Sequence, residues 1–146
     1  MTTDIKASLE MLIDEFFRSV SFQTGEAPAY RRIHELFVGE GKLIKNNSDA
    51  PEMSTIDGFI ASRQSMVDSG VLTSFQEIET AEITEVFGNV AHRFSTYVKR
   101  STVNGAEIEG RGLISTQFIR TPAGWRMTSM AWDDERPGLT IPARYQ

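Results

Sequence analysis

Cysteine is absent from the 146 residues. That excludes disulfides, a cysteine nucleophile and any thiolate metal site, and it suits a reducing compartment. Long apolar runs are also missing; the longest are a few residues, far short of a membrane span. Residues 1–4 show no basic stretch leading into an apolar core, so a cytoplasmic chain without a secretory leader is expected. Positive charge is scarce and scattered. A formal net charge of −5 and a pI near 5.1 argue against nucleic acid as a partner, because phosphate binding needs a clustered basic surface. Histidine occurs only twice, with no H-E-x-x-H spacing, so neither a metal nor another cofactor is expected. Glycine-rich phosphate loops and serine elbows are missing too.

What remains has the composition of an ordinary globular protein, and its length suits one domain spanning residues 1–146. A chain of this size buries about 68–70% of its unfolded surface, so it needs no covalent staples. Residues 4–20 read as an amphipathic helix, with Ile5, Leu9, Leu12, Ile13, Phe16, Phe17 and Val20 at helical spacing and Asp4 as N-cap. A second helix is expected from about Ala27 to Phe37, opened by Pro28 and ended by Gly39 and Gly41. A short strand, Lys42–Lys45, and a polar loop from Asn46 to Glu52 follow. Ser54 and Asp57 have capping-box spacing for a third helix, which Gly70 closes.

From Val71 the period changes to two. Strands are expected over 71–87, 89–102, 106–121 and 124–134. Gly88-Asn89 and Asn104-Gly105 are two-residue hairpin signals. Together they place Glu85 opposite His92 and His92 opposite Gln117. Helices followed by long antiparallel strands indicate an α+β fold: a cone-shaped roll with three N-terminal helices packed on a curved, mainly antiparallel sheet. Because side chains alternate, Ile83, Phe87, Val90, Phe94, Val98, Leu113 and Ile119 share the face of His92. That face is expected to be the concave one, with Trp125, Met127, Ser129 and Ala131 of the last strand. Arg93, Tyr97, Ile114, Phe118, Met130 and Trp132 then fall on an outer face apolar enough to be covered by a second copy of the chain.

The order of elements, the segment Val86-Phe87-Gly88-Asn89-Val90-Ala91 and the closing Gly124-Trp125-Arg126-Met127 with Ala131-Trp132-Asp133-Asp134 resemble the nuclear-transport-factor-2-like superfamily. The likeness is nearest to its small bacterial members of unassigned activity, among them SnoaL-like polyketide-cyclase-like, ketosteroid-isomerase-like and calcium/calmodulin-kinase-association-like domains. It covers nearly the whole chain. The resemblance implies a pocket between helices and sheet, and homodimers through the outer sheet face. Some members isomerise, dehydrate or cyclise small molecules, while others only bind or assemble. Fold alone does not choose among these.

His92 is the leading catalytic candidate. A histidine beside a carboxylate can act as general base, with Glu85 orienting it. The same groups can equally satisfy one another's hydrogen bonds and do nothing more. Phe16, Tyr30, Phe59, Phe94, Gln117 and Trp125 are the expected lining of a pocket for a small hydrophobic ligand. His34 reads as a helix-surface residue. Asp14 falls on the polar side of the first helix, Arg93 points away from the concave face, and Arg63 and Asp134 read as solvated charges. Three functions fit this sequence: a small-molecule-binding domain, a cofactor-free isomerase, dehydratase or cyclase, and a homodimeric interaction module.

Overall fold

A computed structural model describes residues 2–146. Helix α1 spans Thr2–Val20 and buries Leu9, Ile13, Phe16, Phe17 and Val20, its apolar stripe. It starts before Asp4, which lies in its first turn rather than at the cap.

The second expected helix does not form as an α-helix. Only Tyr30–Glu35 coils, as a 3-10 turn with bonds such as Leu36 N–H to the Ile33 carbonyl. Three residues per turn put Tyr30 and Ile33 on one side, and both are buried. Phe37 already belongs to strand β1, Phe37–Lys45, which is longer than expected because it pairs with the last strand. β2, Glu52–Thr55, pairs back on β1 where part of the polar loop was expected. Helix α2 spans Ile56–Asp68, and its cap is Thr55 rather than Ser54: the Thr55 hydroxyl accepts the Gly58 N–H at 3.0 Å. The sheet is therefore backed by two α-helices and a 3-10 turn, not three helices.

β3 (Leu72–Phe87), β4 (Val90–Val103), β5 (Ala106–Thr121) and β6 (Gly124–Asp134) form the meander. The sheet order is β2-β1-β6-β5-β4-β3, antiparallel throughout except for β1 beside β6. Both hairpin turns stand where the sequence put them, with Gly88 at φ +57°, Asn104 at +51° and Gly105 at +80°. The pairs Glu85–His92 and His92–Gln117 form as expected.

The faces, however, are exchanged. Arg93, Ser95, Tyr97, Ile114, Thr116, Phe118, Met127 and Met130 lie against the helices, each 2% exposed or less, and Trp132 joins them. His92, Ile83, Phe87 and Val90 lie on the outer face, where Phe87 is 86% exposed. Two features explain the inversion. Arg93 is tolerated inside because its guanidinium meets Glu79 at 2.5 Å, Glu82 at 3.5 Å and Glu10 at 3.4 Å. The apolar residues of the outer face are partly covered by the chain's own C-terminus. There Ile141 is buried, the Tyr145 ring meets Phe94 edge-on at 5.0 Å, and the Thr96 hydroxyl donates to the Tyr145 carbonyl.

Two of the sheet's register shifts decide which side chains face the helices. Thr80 is the extra residue on β3, so Glu77 and Glu79 share the inner face with Glu82 and Thr84. Thr128 is the extra residue on β6, so Met130 and Trp132 turn inward after Trp125 and Met127, while Ser129 and Ala131 turn outward. The tyrosine, phenylalanine and tryptophan expected to mate with a second copy are thus core residues of a single chain.

Candidate functional site in the cone

The inversion divides the expected pocket. Phe16, Tyr30, Phe59 and Trp125 lie on the helix side and are buried. Phe94, His92, Glu85 and Gln117 lie across the sheet from them. His92 Nε2 and Glu85 Oε1 meet at 2.7 Å, as the register requires, but their side chains are 61% and 68% exposed. Gln117 sits beside them, and its amide oxygen accepts the Thr128 hydroxyl at 2.8 Å instead. These residues border an open depression of about 470 Å³ on the outer face. His34 pairs with Asp57 at 3.2 Å on the surface.

Inside the cone the polar groups are different ones. Tyr97 projects inward from β4 and crosses over Gly112, its partner on β5, to reach β6. Its hydroxyl donates to the Asp134 carboxylate and lies 3.1 Å from the Asp133 carbonyl. Asp134 also accepts from Lys99 at 2.9 Å and from Asn47 at 2.7 Å. Burial by itself would raise the Asp134 pKa; the hydrogen bonds from Tyr97, Lys99 and Asn47 outweigh it and hold the carboxyl below its ordinary range. Burial, then the bond to Asp134, pushes the Tyr97 phenol well up.

Three further polar groups, Arg63, Tyr30 and Glu77, lie beside this interior. Arg63 on α2 lies over the rings of Phe59 and Phe75, 4.9 and 5.1 Å from their centroids, and has no ion-pair partner among the described residues. The Tyr30 hydroxyl is buried, with the Arg63 side chain within hydrogen-bonding reach of it. Burial raises its pKa, and the nearby Arg63 charge opposes this. Glu77 on β3 carries a side-chain carboxyl with no hydrogen bond. Burial pushes it up to about 7 against the opposing charges of Arg63 and Lys99.

A cavity of about 310 Å³ opens at the wide end of the cone, walled by Arg63, Leu72, Phe75, Lys99, Ser101 and Trp132. Behind it a void of about 20 Å³ lies between Arg63, Glu77, Lys99 and Trp132, room for about one water. Sequence reasoning missed Glu77, Lys99, Tyr97, Asn47 and Asp134, and read Arg63 as solvated. One signal was available: the register puts bulky Tyr97 opposite Gly112, the mark of a side chain lying across a strand. Among the described residues no group of three histidine, aspartate or glutamate side chains is placed to hold a metal ion, and no helix is long and apolar enough to cross a membrane.

No protein-family model and no curated protein sequence matches the chain. Solved structures do. A nuclear-transport-factor-2-like superfamily protein from Salmonella enterica superposes with a TM-score of 0.76 at 16% identity, over 92% of this chain and 93% of that one. The chain has the nuclear-transport-factor-2-like, cystatin-like fold. A protein from Novosphingobium aromaticivorans described in both terms covers 99% of this chain and 88% of its own, at 16% identity and a TM-score of 0.69. A hexachlorocyclohexane dehydrochlorinase from Novosphingobium barchaimii superposes at 10% identity and a TM-score of 0.74, over 94% of this chain and 90% of its own. At these identities the likeness establishes the fold, and what the chain does has to be argued from its own residues.

Proposed function

We propose that the protein binds a small, mainly hydrophobic molecule in the wide end of the cone. The carrying observation is the cavity of about 310 Å³, with Leu72, Phe75 and Trp132 as apolar walls and a few charged groups among them. The two tryptophans allow a position-resolved test. Trp132 lines the cavity, whereas Trp125 is buried near the start of β6 and does not. Adding the neutral aromatic 2-naphthamide should shift the Trp132 indole N–H resonance and leave that of Trp125 in place. Equal shifts of both, or of neither, would reject the site.

A second reading has its own observation. Glu77, with a carboxyl that titrates near neutrality beside Lys99 and Arg63, is suited to take or give a proton in acid–base chemistry on a hydrophobic carbonyl or hydroxyl compound. The shared fold of a dehydrochlorinase supports an enzymatic use of such an interior. On this reading Glu77→Gln abolishes turnover of any ligand found in the cavity while leaving its binding intact; full activity of that variant would end it.

Self-association belongs to the outer face as it stands. Ile83, Phe87 and Val90 are exposed there, 39%, 86% and 46% respectively, and a second copy of the chain is the cover we propose for them. Phe87→Glu should then convert a dimer to a monomer in sedimentation, and an unchanged sedimentation coefficient would reject the interface.

A further inference from the structure

We propose that the ligand of the cone carries a carboxylate, received by the Arg63 guanidinium, which Tyr30 supports from behind. This deepens the binding reading above and rests on it.

Four observations support it. The Arg63 guanidinium lies over the rings of Phe59 and Phe75, which hold it by cation–π contact and leave N–H donors beyond the one facing Tyr30. Among the described residues no carboxylate forms an ion pair with it, whereas the neighbouring cation Lys99 is matched by Asp134 at 2.9 Å. The Tyr30 hydroxyl, in a residue only 2% exposed, lies behind Arg63 within hydrogen-bonding reach of its side chain and helps to hold the guanidinium in place. Finally, Arg63 and Glu77 both border the void behind the cavity without forming an ion pair, although the Arg63 charge opposes the rise of the Glu77 pKa.

A planar fork of donors next to a phenol suits a carboxylate better than a neutral carbonyl, because two parallel charge-assisted bonds form at once. Glu77 does not oppose this below neutrality: once protonated it has an O–H to donate, and Lys99 and Asp134 cancel. The cavity's other charges are paired as well, Lys45 with Glu52, Glu109 with Arg100 and Glu135 with Arg111, so Arg63 is the lining charge left without an ion-pair partner among the described residues. The walls Leu72, Phe75 and Trp132 set the rest of the ligand as apolar. The class is therefore an aromatic or aliphatic monocarboxylic acid.

The test compares 2-naphthoate with its neutral isostere 2-naphthamide at about pH 6, reading the Trp132 indole resonance and the dissociation constant. The wild-type protein should bind naphthoate at least tenfold more tightly. Arg63→Gln should erase that preference while leaving naphthamide affinity unchanged. Arg63→Lys, which keeps the charge but loses the fork, and Tyr30→Phe should each reduce it in part; they also serve if Arg63→Gln does not fold. Equal affinity for the two probes, or a preference that survives Arg63→Gln, overturns the carboxylate assignment and leaves the cavity as a binding site. Failure of both probes to move Trp132 overturns the binding reading and this inference with it.

Discussion

The Tyr97 hydroxyl reaches Asp134 across an intervening strand, and it does so because the residue between them is Gly112. A Cβ at position 112 would overlap both the Tyr97 ring and the Asp133 carbonyl. Neither can yield cheaply, since one is a buried ring and the other belongs to a paired strand. Gly112→Ala should cost at least about 3 kcal/mol, a fall of roughly 6–12 °C in melting temperature. Calorimetry checks this; a melting temperature within a degree or two of wild type would show that Tyr97 can move aside.

Arg93 should behave as the anchor of the α1 side of the sheet. Its side chain is fully buried, and Glu79 and Glu82 beside it are 13% and 19% exposed. Burial alone would lower the Arg93 pKa; the bonds to Glu79 more than reverse this. Arg93→Met removes the cation and strands its carboxylates, which should cost about 3–5 kcal/mol. Adding Glu79→Gln should recover part of that loss in denaturant unfolding, and strictly additive losses would deny the coupling.

Glu77 makes stability depend on pH. Its carboxyl is raised from 4.5 to about 7 in the folded state. The folded protein therefore holds a proton that the unfolded chain releases, and stability falls as pH rises through that window. The gap corresponds to about 3 kcal/mol between pH 4 and pH 8. Glu77→Gln should flatten this slope, gaining stability at pH 8 and changing little at pH 4. Parallel pH profiles for the two proteins would place the titration elsewhere.

His92→Ala should leave the cone untouched. The pair with Glu85 lies on the outer face and is more than half exposed, so it contributes at most about 1 kcal/mol. Binding of 2-naphthoate should be unchanged in this variant; a loss of affinity beyond threefold would return His92 to the candidate site.

The sequence carried the register next to the two hairpin turns, and the sidedness not at all. Gly88-Asn89 and Asn104-Gly105 demand particular backbone signs, so the pairs Glu85–His92 and His92–Gln117 could be read to the residue. Which face met the helices turned on apolar character, and the two faces were nearly balanced. Phe87, Val90 and Ile83 outweighed Arg93 on that scale, yet the charge of Arg93 is cancelled by carboxylates from α1 and β3 that lie far from it in the chain. The bulges at Thr80 and Thr128 carry no glycine or proline to announce them, and each shifts the parity of its strand. The 3-10 turn at Tyr30–Glu35 looked helical because Tyr30 and Ile33 recur at a spacing common to both coils; pairing of Phe37 with Met127 is a long-range effect that local propensity does not contain. For the same reason the Arg63, Tyr30 and Glu77 group was illegible, since its members come from three separate elements.

The most direct test of a ligand-binding cone is to fill it. Ser101 faces the cavity from β4 between Phe75 and Ile108. Ser101→Trp should occupy the space with little change in melting temperature and weaken binding of 2-naphthoate at least tenfold. Wild-type affinity in a folded Ser101→Trp protein would contradict the account.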